Sequence, residues 1–99
     1  MKLISWNVNG IRAAVKKDFL QAVADMQPDV LCIQETKAQD EQVLAAISDL
    51  DGYHVYTSSA VRPGYSGTAV FSRSKPKSVT PGTGLEEHDQ EGRVICAEY

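Results

Sequence analysis

Two short apolar runs, residues 3–4 and 30–33, each break off into side chains that carry amide or carboxylate oxygens. The first leads through SWNVNGIR, residues 5–12, to the carboxamides Asn7 and Asn9 and then to Gly10. The second leads into QETK, residues 34–37. A continuous apolar run of strand length fits a strand buried on both faces of a sheet. Two such strands deliver Asn7 and Glu35 to one sheet edge, the place where α/β proteins build ligand sites. Magnesium takes oxygen ligands and keeps waters and substrate phosphate in its remaining positions. The pattern therefore favours phosphate-ester chemistry.

The rest of the chain supplies the frame. Residues 2–7 read as a strand that Gly10 turns out of. Val15, Phe19, Leu20, Val23 and Met26 recur at helical spacing before Pro28 stops the helix, and residues 29–34 form the next strand, so the opening is a βαβ unit. Residues 40–50 carry Val43, Leu44 and Ile47 at helical spacing, with Asp40 as N-cap and Asp51–Gly52 as the close. Strands at 53–58, 67–73, 77–80 and 93–99 follow, separated by the turn-rich segments RPGYSG and TPGTG. No repeat, low-complexity tract or linker divides the chain.

A chain of 99 residues supports one small domain with a marginal core. Its 42% hydrophobic and 23% charged content is that of an ordinary globular chain, and no tract is long or apolar enough to span a bilayer. The start lacks the pattern of a signal peptide, so cytoplasmic residence is the expectation. Cys32 and Cys96 lie in apolar runs without close basic neighbours and read as buried structural thiols. The net charge of -3 argues against a general nucleic-acid coat protein, but Arg12, Lys16, Lys17 and Lys37 form a local basic edge that suits phosphates.

Each candidate site residue has a plain reading beside the functional one. Glu35 projects from a strand end into a crevice, as a cation ligand or a surface glutamate. Asn7 and Asn9 are a ligand pair or a turn-forming Asx pair. Lys37 and Arg12 contact phosphates or are solvated charges. Gly64 and Tyr65 approach a nucleic-acid backbone or connect two strands, and Arg73 is a phosphate clamp or a strand-end charge. His54 and His88 have no partner at metal-ligand spacing. The segment EEHDQEGR lacks the Asp/Asn alternation of a calcium loop and reads as a solvated turn.

Taken together and in order, SWNVNGIRA, LCIQETK, GYSGTAVFSR and EEHDQEGRVI resemble the exonuclease III family of apurinic/apyrimidinic endonucleases, across residues 1–99. The resemblance implies an α/β fold, the N-terminal part of a four-layered, DNase I-like α/β sandwich. It implies magnesium-dependent hydrolysis of DNA phosphodiesters, with manganese as the alternative ion, 5′ to abasic sites or from 3′ ends in duplex DNA. Glu35 matches the metal ligand and Asn7 its partner in the metal and phosphate network. Asn9, Arg12, Ala13, Lys17, Lys37, Gly64, Tyr65 and Arg73 match or flank DNA-contact positions.

The family's catalytic tyrosine, its GDxN and SDH motifs and a later metal-site aspartate would all follow Tyr99. The chain corresponds to roughly two-fifths of a domain of about 250 residues. The resemblance thus leads us to expect a truncated chain that is inactive alone, and an unpaired edge at residues 93–99 of such a chain would invite strand addition and self-association. The alternatives are another phosphodiesterase of the superfamily, or a non-catalytic fragment that binds DNA or a complementing chain.

Overall fold

Alternation along the strands decides which side chains face inward. The computed structural model, which describes residues 1–99, places β1 (Leu3–Asn7), β2 (Val30–Gln34), β3 (His54–Ser58) and β4 (Thr68–Ser72) in one sheet, ordered β1-β2-β4-β3. β1 and β2 run parallel, which gives the expected βαβ opening, and β4 runs antiparallel to both β2 and β3. The register turns Ile4, Trp6, Leu31, Ile33 and Phe71 towards one face, where helices α1 (Ile11–Lys16), α2 (Phe19–Met26) and α3 (Asp40–Ala46) add Ile11, Phe19, Val23 and Val43. Phe19 stands at the centre of this core. Trp6 stacks on it at 5.1 Å and Phe71 meets it edge-on at 6.1 Å.

The helices depart from the expected spans in two ways. The single helix expected up to Met26 is two helices, because Asp18 adopts a left-handed conformation at φ 67°. Along an unbroken helix Ile11 and Phe19 would point about 80° apart; with the break, both are fully buried. α3 ends at Ala46 rather than Leu50, and its N-cap is Gln39, paired with Gln42 in a capping box, instead of Asp40. Asp40 and Glu41 lie in the first turn, where they complement the helix dipole.

A second, two-stranded antiparallel sheet joins β5 (Ser78–Pro81) to β6 (Ile95–Glu98). The EEHD segment between them, expected as a turn, is a single helical turn, α4 (Glu86–Asp89). The Asp89 carboxylate accepts hydrogen bonds from the Thr83 and Gly84 amides and the Thr83 hydroxyl. These donors, the Thr83 amide first, hold its pKa below the usual aspartate value.

The face of the main sheet away from the helices grades from apolar to polar along the strands. At one end Leu3, Val30, Cys32 and Val70 form an apolar groove of about 330 Å³ with Ile95, Ala97, Tyr99 and Met1. At the other end the register sets Asn7 beside Gln34, Gln34 beside Thr68, and Thr68 beside Ser58. β2 is therefore closed by helices on one face and opens onto this groove on the other, not buried on both. Cys32 is half-buried and Cys96 exposed, which corrects the expectation of two buried thiols. Burial raises the Cys32 pKa, so it is held as a thiol. No helix is long and apolar enough to cross a membrane.

Candidate active site

The polar end of that sheet is where the loops following β1 and β2 meet. Immediately after β2 the backbone turns left-handed at Glu35 (φ 55°) and again at Lys37 (φ 51°), and Asn9 (φ 48°) does the same after β1. Non-glycine residues adopt this region seldom and at a cost, so such a cluster is held by its surroundings. The Gly10 amide donates to the Glu35 carbonyl at 2.7 Å and the Val8 amide to the Gln34 carbonyl at 3.1 Å. The Glu35 side chain, 43% exposed, is left pointing over the polar row.

Two side chains, Asn7 and Lys37, meet that carboxylate, and Asn9 bonds both of them. The Asn9 amide N–H donates to Asn7 Oδ1 at 3.0 Å, which fixes the orientation of the Asn7 carboxamide and turns its Nδ2 to donate to Glu35 Oε2. Lys37 Nζ donates to Asn9 Oδ1 at 2.6 Å and lies 3.8 Å from Glu35 Oε1. The sequence places an amide oxygen of Asn7 and a carboxylate oxygen of Glu35 side by side; the structure instead brings an amide N–H to the carboxylate. In this arrangement Asn7 orients Glu35. Lys37 and Asn9 belong to the same network, and Lys37 is directed inward to it.

No cluster of three or more His, Cys, Asp or Glu side chains forms anywhere in the chain. A closed all-protein cation cage is thus not built from these residues. A single exposed carboxylate, with amide groups beside it, fits magnesium's habit of using one or two carboxylates and filling the rest with water and phosphate oxygens. Glu35 is the residue that would hold such an ion.

On one side of Glu35 lies a cleft of about 260 Å³ lined by Asn7, Gln34, Ser66, Gly67, Thr68 and Arg93. On the other lies an open groove of about 480 Å³ lined by Gly10, Arg12, Ala13, Lys16, Lys37 and Gly64. Arg12, Ala13 and Gly64, which the resemblance expects at DNA-contact positions, line this one groove. Lys17, at the C-cap of α1, lies outside that lining, and Lys16 takes its place. Arg12 also braces the turn, since its guanidinium donates to the Lys37 carbonyl at 2.8 Å.

Tyr65 lies in the chain between Gly64 of the groove and Ser66 of the cleft. Its hydroxyl accepts from Arg93 at 2.8 Å, and the guanidinium carbons of Arg62 and Arg93 lie 5.2 and 5.5 Å from its ring centre. Neither arginine forms an ion pair. Arg93 is the site residue that composition and spacing miss. It is brought to the cleft by Gly92, where a side chain would collide with the Ser59–Ala60 backbone at 2.3–2.5 Å. The glycine before it in EEHDQEGR was the available signal.

Arg73 is not brought to the site. It follows Ser72, which pairs with Val30 at the start of β2, so the length of the strand, about 17 Å, separates it from the Glu35 end. There its Nε donates to the Pro28 carbonyl at 3.1 Å and its guanidinium lies 5.1 Å from the Tyr53 ring centre. These bonds pack it between β4 and the start of β2, apart from the other expected DNA-contact residues.

The model of the endonuclease/exonuclease/phosphatase family matches residues 4–98. The chain is 57% identical over its whole length to a Bacillus subtilis exodeoxyribonuclease, of which it covers 38%, and 48% identical to the Danio rerio DNA repair nuclease APEX1, of which it covers 33%. An AP endonuclease structure from Archaeoglobus fulgidus superposes with a TM-score of 0.82 at 33% identity, over 98% of this chain and 36% of that one. A Neisseria 3′ phosphatase bound to a product DNA hairpin gives 0.82 at 34% identity, over 98% and 37%. The chain thus spans between a third and two-fifths of the length of these relatives.

Proposed function

Because the chain belongs to the endonuclease/exonuclease/phosphatase family and has the α/β fold of its DNase I-like nucleases, we propose that it is the N-terminal part of a magnesium-dependent DNA repair nuclease. Its substrate class is duplex DNA, cut 5′ to abasic sites or trimmed from 3′ ends. The observation that carries this reading is the Glu35 carboxylate, oriented by Asn7 in a polar cleft beside a groove lined by the basic side chains of Arg12, Lys16 and Lys37, of which Lys37 also reaches Glu35. Bound at Glu35, magnesium would polarise a phosphoryl oxygen and stabilise the leaving oxygen.

The chain's own residues then divide the work. Asn7, braced by Asn9, keeps the carboxylate aimed into the cleft, and Lys37 holds Asn9 in place. Arg12 and Lys16 with the Gly64 backbone face one stretch of phosphates, and Arg93 on Tyr65 faces the next; such contacts position a duplex without reading its bases. One carboxylate does not serve both as cation ligand and as base for the attacking water, so hydrolysis needs groups from the remaining length of the domain. The apolar groove beside β6 is the surface against which that remainder would pack.

Two proteins test this together. The 99-residue chain is expected to leave an abasic-site duplex intact in magnesium. The same residues spliced in place of the matching 38% of the Bacillus subtilis exodeoxyribonuclease are expected to give metal-dependent incision. A folded chimera without incision would count against the function, and metal-dependent nicking by the isolated chain would show that the rest of the domain is dispensable.

A further inference from the structure

The turn that carries Glu35 is bound on both sides by backbone. On one side the Gly10 and Ile11 amides donate to the Glu35 and Thr36 carbonyls at 2.7 and 2.9 Å. On the other, the Thr36 and Lys37 amides donate to the Gly67 and Ser66 carbonyls at 3.1 and 2.7 Å. The loop bearing Gly64 and Tyr65 is thereby joined to the segment that sets the Glu35 backbone.

The joint is close-packed at one point. Gly67 is buried at φ 90°, and a Cβ there would lie 2.1 Å from Thr36 Oγ1 and 3.5 Å from Thr36 Cβ. Thr36 is 1% exposed, and its hydroxyl has no hydrogen-bond partner. A buried hydroxyl without a partner is unfavourable where it sits, so the hydroxyl is no reason for the residue's depth. The depth follows from the turn: Glu35 and Lys37 are left-handed on either side of Thr36, which drives its side chain beneath the turn into the space that Gly67 leaves empty.

We propose that Gly67 is a positioning residue for Glu35: by lacking a side chain it seats Thr36 under the turn, and this seat sets the carboxylate's affinity for its cation. The inference rests on the reading of Glu35 as cation ligand. A side chain at residue 67 would displace Thr36, and the displacement passes to Glu35 through the peptide that joins them. Gly67 has no side chain to offer as a ligand and lines the cleft with backbone alone.

The test is Mn²⁺ binding to the 99-residue chain, read by water-proton relaxation, in the wild type, Gly67→Ala and the double variant Thr36→Ala/Gly67→Ala, each with Glu35→Gln as the background. Gly67→Ala is expected to weaken Mn²⁺ binding by about fivefold or more, and adding Thr36→Ala to restore most of that loss. If Gly67→Ala does not fold, recovery of the fold in the double variant supports the same contact, and no recovery overturns it. A folded Gly67→Ala with wild-type affinity overturns the inference while leaving Glu35 as the ligand. A double variant no better than Gly67→Ala overturns it as well, by assigning the loss to backbone strain at residue 67. Wild type that binds no more Mn²⁺ than Glu35→Gln overturns the reading of Glu35 and this inference with it.

Discussion

Glu35→Ala is expected to reduce Mn²⁺ affinity of the chain by about 10- to 100-fold or more, since replacing even an outer-shell partner of a metal ligand has effects of that size. In the chimera described above it should slow incision by about 10²–10³-fold, the several kcal/mol that Lewis-acid stabilisation supplies. The fold should survive, because the side chain is 43% exposed and contributes to no apolar packing. Glu35→Gln separates ligation from orientation. A glutamine oxygen still accepts from Asn7 Nδ2 but lacks the charge, so Gln should behave like Ala in metal binding while the Asn7 contact remains. The check is a metal titration beside a thermal melt; unchanged affinity with an unchanged melt would remove Glu35 from the site.

The second large effect concerns the core. Phe71→Ala is expected to destabilise the chain by about 3–5 kcal/mol, as truncation of a buried aromatic ring does. Phe71 is fully buried on β4, between the two strands it pairs with, and meets Phe19 edge-on at 6.1 Å. A domain of this size has about 5–15 kcal/mol in all, so the variant would be largely unfolded or would melt some tens of degrees lower. Leu3→Ala is the contrast. Leu3 lies on the same sheet but on the open face, 67% exposed, and its loss should change stability by no more than about 0.5 kcal/mol. Chemical denaturation of both variants checks the pair; comparable losses would mean that the helix-covered face is not the sole core of the chain.

The two faces of the sheet also explain what was legible in the sequence. The βαβ opening and the strands of the main sheet follow from apolar or β-branched runs bounded by turn residues, whereas β5, with Val79 as its one aliphatic residue, is marked mainly by the turn after it. The break at Asp18 was not legible, because helical periodicity continues through it while the backbone conformation that interrupts it leaves no periodic mark. The opening of β2 onto a groove was hidden for a related reason: an apolar run marks both faces as buriable without saying which is covered.

At the site, the convergence of Asn7 and Glu35 was legible because both end parallel neighbouring strands. Which atom of Asn7 faces Glu35 was not, since that depends on the Asn9 amide bonding Asn7 Oδ1. Arg73 and Arg93 show the limit from both directions. Both are arginines beside strands, yet antiparallel pairing carries Arg73 away from the Glu35 end, and the tight approach at Gly92 brings Arg93 towards it. Pairing direction and a buried glycine are three-dimensional facts that residue type alone does not encode.

The central claim is that one end of the main sheet is the DNA-facing end, with Glu35 between the basic groove and the polar cleft. It is tested most directly by mapping backbone amide shifts of the 99-residue chain as a short duplex with an abasic-site analogue is added. The account predicts shifts concentrated at residues 9–13, 35–37, 64–67 and 93, with Tyr53 and Arg73 at the opposite end unmoved. Shifts centred on Tyr53 and Arg73, or no shifts at any duplex concentration that binds, would contradict it.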